Sequence, residues 1–152
     1  MPNIQKVDCD SKVIYGLEVR TKNVDEINSN TQKIASLWGR FFSEILPKLA
    51  EGALVYGVYS NYESDAMGEF TVLAGADSLE STEGLASVTL EEGKYLRFPV
   101  KGEMPQAIIE TWGKVWAYFD DPSIDERRSF ETDYEQYISE DEAAIYIGVH
   151  YF

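Results

Sequence analysis

The chain has 152 residues, 44% hydrophobic and 13% aromatic, enough for one domain to bury about two-thirds of its unfolded surface without a metal or disulfide. Thirteen basic against 27 acidic residues leave a formal charge of −14, which repels nucleic acid and anionic membrane surfaces and favours the approach of cations. The single Cys9 excludes an internal disulfide, and with the lone His150 it makes no His/Cys ligand set for zinc.

The N-terminus lacks the apolar stretch of a secretory signal, and no apolar run approaches the ~20 residues that span a bilayer. The expected compartment is the cytoplasm. In chain order, a β-like run at residues 13–21 precedes a helix-period stretch. There Ile34, Leu37, Trp38, Phe41, Phe42 and Ile45 recur at the spacing of one apolar helix face. Two strand-like runs follow, 54–62 and 70–76, separated by the turn-rich segment 63–68. Residues 77–93, rich in Glu, Ser and Gly, read as a connector that carries a short strand at 86–90.

The pattern then returns. A strand-like run at 94–100 leads to a second helix, on which Ile108, Trp112, Val115, Trp116 and Phe119 share a face and Pro105 suits the first turn. Strands at 129–138 and 144–151 follow, either side of a turn at 139–142. Within the helices, Trp38-Gly39-Arg40 and Trp112-Gly113-Lys114 repeat at an offset of 74 residues. A helical glycine costs about 0.5–1 kcal/mol relative to alanine, so Gly39 and Gly113 predict close approach of a backbone or ring. The expected fold is α+β: two β-α-β-β units, roughly 7–76 and 86–152 of a single domain, form an antiparallel sheet with both helices on one face. The groove between the halves is the first candidate for a binding site.

The strand around Asp133-Tyr134-Glu135-Gln136-Tyr137 carries carboxylates where strands disfavour them. Strand parity places Asp133, Glu135 and Tyr137 on one face and Thr132, Tyr134 and Gln136 on the other. A turn centred between Glu140 and Asp141 sets Glu135 opposite Tyr146 and Tyr137 opposite Ala144, whereas a one-residue shift brings Ile147 there instead. By the same parity Tyr56 and Tyr62 face away from Tyr59. Residue type alone leaves Glu135 open between a solvated outward residue and a charge held in a site. Arg127-Arg128 is too short for a nucleic-acid patch, and the acidic runs Glu91-Glu92 and Glu140-Asp141-Glu142 read as solvated turns.

The duplicated organisation, the Trp-Gly element in both helices, the Gly57-Val58-Tyr59 strand and the 133–137 strand before a C-terminal hairpin resemble the GyrI-like effector-binding domain. This is the small-molecule module at the C-terminus of many bacterial AraC- and MerR-type transcription regulators, and the similarity is greatest to stand-alone members, integron-cassette proteins among them. The resemblance covers residues 7–149. It implies a cleft for bulky, apolar, cationic drugs or metabolites, with Glu135 at the position of a buried glutamate that meets the ligand's charge. Trp112, Trp116, Tyr59, Tyr137 and Tyr146 would supply rings. No helix-turn-helix precedes the first β-like run, so a regulatory role would rest with another protein.

The expected protein binds a small molecule without a cofactor, a metal or catalytic residues. Two other readings remain open at this stage. Some relatives are hydrolases of strained electrophiles, in which Glu135 would be a general base, but no second catalytic group accompanies it. Others are inhibitors of DNA gyrase, and an acidic surface could serve such a protein-interaction role.

Overall fold

The computed structural model describes residues 4–26, 32–63, 68–104, 106–124 and 126–150. The elements in chain order are β1 (Gln5–Cys9), β2 (Lys12–Thr21), a single turn α1 (Asn23–Glu26), α2 (Ile34–Glu44), β3 (Val55–Ser60) and β4 (Phe70–Ala76). They continue with β5 (Ala86–Leu90), β6 (Gly93–Lys101), α3 (Gln106–Asp120), β7 (Arg127–Ser139) and β8 (Glu142–His150). A short 3-10 turn, Leu46–Lys48, ends the α2 segment around Pro47.

Eight strands of the described residues form one antiparallel sheet in the order β1-β6-β8-β7-β3-β4-β2-β5. The order reads the same from either end when β1 is exchanged for β5, β2 for β6, β3 for β7 and β4 for β8. Each β-α-β-β unit therefore contributes three adjacent strands and lends a further strand to the other unit's outer edge. Of the two lent strands β5 is anticipated by its sequence. The other, β1 (Gln-Lys-Val-Asp-Cys), has too few β-branched or aromatic residues to read as a strand. Pairing of its backbone with β6 from Gln5↔Arg97 to Cys9↔Gly93 holds it in place.

The α+β architecture with both helices over one face is as expected. Pro105, residues 64–67 of the first predicted turn and Tyr151 of the last strand lie outside the described residues. The start of α2 is capped from a distance: the Glu26 carboxylate accepts from the backbone N–H groups of Lys33 (2.9 Å) and Ile34 (3.1 Å), which would otherwise be unsatisfied at a helix N-terminus.

Packing under the two helices is discontinuous. Leu37 and Phe41 of α2, with Ile45 at its end, pack with Phe70, Val72 and Ala74 of β4, whereas Ile108 and Val115 of α3 pack with Leu96, Phe98, Ile145 and Ile147 of β6 and β8. Each fully buried side chain of this size contributes about 1.5–3 kcal/mol. A third cluster, including Ile14, Tyr56, Val58, Tyr95 and Tyr134, fills the opposite face of the sheet. Between the two helix-covered clusters run β3 and β7, the central pair, and the space above them is open. No described helix is long and apolar enough to cross a membrane.

Candidate functional site: a cavity over the β3–β7 seam

Pleating of β7 sends Asp133, Glu135 and Tyr137 to the helix-covered face. Opposite them on β3 stand Tyr59, Gly57 and Val55. Glycine at position 57 is what admits the Glu135 side chain. A Cβ there would come within 2.8 Å of Glu135 Oε1 and 3.0 Å of Trp38 Cζ2, so the carboxylate lies across the strand where any other residue would stand.

Three neutral donors hold it. Trp112 Nε1 (2.6 Å) and Tyr59 OH (2.9 Å) donate to Oε2, and Tyr137 OH (2.7 Å) donates to Oε1. Glu135 is 3% exposed. Burial raises its pKa above the ordinary carboxylate range, opposed by the hydrogen bonds from Tyr137, Trp112 and Tyr59. Burial and the adjacent carboxylate push both tyrosine hydroxyls upward, so they stay protonated as donors.

A second polar group adjoins the first. Arg128 Nη2 and Tyr62 OH donate to Asp133 Oδ2 at 2.6 and 2.5 Å, and the backbone N–H of Gly148 donates to Oδ1 at 3.0 Å. A bulge between Arg128 and Asp133 makes this possible, because there β7 loses register with β8. Asp133 then answers a backbone donor that the ladder leaves free.

Above these groups lies a cavity of about 910 Å³ between α2 and α3, at the upper end of the range for small-molecule sites. Eight of its lining residues are aromatic: Trp38 and Phe42 from α2, Trp112 and Trp116 from α3, Tyr59, Tyr62 and Phe70 from the first half, and Tyr137 from β7. The rings brace one another edge to face, with Tyr59 and Trp112 centroids 5.2 Å apart and Trp38 and Tyr137 centroids 5.5 Å apart. Towards the mouth Phe42, Ile109 and Trp116 are 57, 61 and 48% exposed. Among the described residues no His/Cys/Asp/Glu cluster could hold a metal ion.

The sequence profile of the integron-associated effector-binding proteins matches residues 7–149. The chain belongs to this effector-binding family. An integron cassette protein from Vibrio cholerae, VCH_CASS2, superposes with a TM-score of 0.91 at 38% identity, covering 97% of this chain and 95% of that one. The Bacillus subtilis putative transcriptional regulator protein YobU is 27% identical over 140 residues, 84% of this chain and 82% of its own. SAV2435, solved bound to tetraphenylphosphonium, shares the fold with a TM-score of 0.74 at 19% identity, covering 97% of this chain and 94% of its own.

Within this effector-binding fold, the structure brings together five of the six residues expected from sequence. Glu135, Tyr59, Tyr137, Trp112 and Trp116 all line the cavity. Tyr146 does not. It is paired with Tyr134 and stacks on that ring at 4.6 Å on the opposite face of the sheet, where Arg97 Nε donates to its hydroxyl at 3.1 Å. The turn itself is placed as expected, with Ser139 opposite Glu142, but an irregularity between Tyr137 and Ser139 moves the pairs from Tyr137 back to Asp133 by one residue. Glu135 therefore faces Ile145, not Tyr146 or Ile147.

Two further expectations are corrected. Gly39 and Gly113 have nothing within 4 Å of an added Cβ, so the close approach assigned to the helices belongs to Gly57. Tyr62 does reach the cavity despite its parity with Tyr56, because Asn61 adopts a positive φ of 52° at the end of β3 and turns the following residue over. Sequence reasoning also left Trp38, Arg128 and Gly57 without a role in the site. The repeat with Trp112 is the available signal for Trp38, and the Gly57-Val58-Tyr59 strand of the family resemblance is the one for Gly57; nothing local marks Arg128.

Proposed function

We propose that this chain is an effector-binding or sequestration protein that takes largely apolar cations into the cavity between α2 and α3, with Glu135 as their counter-charge. One observation carries the reading: a buried carboxylate, bonded among the described residues only by the neutral donors Tyr59, Trp112 and Tyr137, forms part of the wall of an aromatic cavity. A buried charge without an opposite charge is costly, and an incoming cation removes that cost. Each well-placed ring adds a cation–π attraction of about 0.5–2 kcal/mol. Tetraphenylphosphonium, the molecule bound in SAV2435, has the required bulk and charge and is a suitable probe.

Titration with tetraphenylphosphonium, read by the fluorescence of Trp112 and its neighbours, tests the reading. Unit charges about 5 Å apart at an effective dielectric near 20 attract by ~3 kcal/mol, so Glu135→Gln is expected to weaken binding by about 100-fold. Unchanged affinity in that variant removes Glu135 from the account.

A further inference from the structure

Most of the acceptor capacity of Glu135 is already used. A carboxylate offers about four lone-pair positions. Trp112 and Tyr59 take Oε2, and Tyr137 takes one side of Oε1. The remaining position on Oε1 has no donor among the described residues, and Oε1 lies over Gly57, 2.8 Å from where a Cβ would stand. Two other carboxylates around the cavity are engaged as well. Asp133 accepts from Arg128, Tyr62 and Gly148. Glu26 accepts from Thr21 and from the Lys33 and Ile34 amides. Glu140 lines the cavity as an exposed turn residue.

We propose that the cavity selects cations without N–H donors, such as quaternary ammonium, phosphonium or N-alkylated heteroaromatic ions, over primary ammonium ions of similar skeleton. The inference rests on the reading that Glu135 meets the ligand's charge. A donor-free cation asks the site only for negative potential and ring faces, and both are present. A primary ammonium brings three N–H groups that lose water on entry, and Glu135 has about one position left to receive them. To accept more than one, Glu135 must give up a tyrosine or tryptophan donor, which then goes unsatisfied in turn.

Calorimetric titration of (1-naphthylmethyl)trimethylammonium and 1-naphthylmethylammonium at neutral pH, where both are cations, measures the preference. The trimethylated ion is expected to bind at least tenfold more tightly. Part of any such ratio comes from methyl burial, so the deciding measurement is the ratio in variants that free an acceptor position. Tyr137→Phe vacates one on Oε1 and Tyr59→Phe one on Oε2, each keeping its ring. In either variant the preference should narrow threefold or more through tighter binding of the primary ammonium. Equal affinities in the unmodified protein, or a ratio unchanged in both variants, overturns the selectivity. Glu135→Gln separates the two levels of argument. If it weakens both ions while the selectivity fails, the counter-charge reading stands alone; if it weakens neither, that reading falls and the selectivity with it.

Discussion

Asp133 and Glu135 stand two residues apart on the same face of β7, and burial is nearly complete for both, at 0% and 3% exposure. Asp133 has its counter-charge built in: the Arg128 guanidinium lies 2.6 Å away, with Tyr62 and the Gly148 amide completing its shell. Glu135 is held by two phenols and an indole, and none of them carries charge. The difference separates a structural carboxylate from a receptive one. The first has spent its electrostatic attraction within the fold, while the second keeps its attraction for whatever enters the cavity.

The comparison can be broken most severely at Arg128. Arg128→Met leaves Asp133 buried without its cation, which should destabilise the fold by about 3–5 kcal/mol in urea unfolding. Adding Asp133→Asn should restore part of that loss, since the uncompensated charge is then gone. Glu135→Gln, by contrast, should change stability by less than about 1 kcal/mol, because it removes a charge that the fold never balanced.

Gly57→Ala is expected to come next. Its Cβ would stand 2.8 Å from Oε1 and 3.0 Å from the Trp38 ring, so carboxylate or indole must move. Overpacking of this kind costs about 1–3 kcal/mol, and cation affinity should fall about tenfold as the donors around Glu135 lose alignment.

Variation of pH sharpens the contrast further. The folded-state pKa of Glu135 is raised above its unfolded value by burial, so the native state holds a proton that the unfolded chain has already released. The stability this contributes is fully present below the unfolded pKa and is lost as pH rises through the folded pKa. Cation affinity runs the opposite way across the same window, since only the ionised carboxylate attracts the ligand. Urea unfolding and titration of the unmodified protein, each referred to Glu135→Gln, should show the two trends crossing; parallel trends contradict the assignment.

The smallest effect belongs to the mouth. Trp116 is half-exposed, where a cation–π contact is worth about 0.5–1 kcal/mol, so Trp116→Ala should weaken tetraphenylphosphonium binding two- to fivefold by fluorescence titration and leave the unfolding midpoint nearly unchanged.

Local chemistry made much of this readable before any fold was known. The apolar stripes of α2 and α3 follow from the helical repeat, and the shared face of Asp133, Glu135 and Tyr137 from the pleat of a single strand. The groove between the halves follows from two units that each bury a helix on its own part of one sheet. Residues that depend on a neighbouring strand were misjudged. Tyr146 fell on the wrong face because one irregularity near Ile138 shifts the register, and Tyr62 because Asn61 turns the chain at the end of β3.

The sequence by itself determined the α+β class, the duplicated units and the parity that joins Glu135 to Tyr137, since each depends on spacing within one element. Only the tertiary structure decided that Gly57 lies beneath the carboxylate, that Arg128 neutralises Asp133 and leaves Glu135 without a cation, and that Tyr146 belongs to the far face. Those outcomes depend on register between strands distant in the chain, where a single extra residue reverses which side a side chain faces.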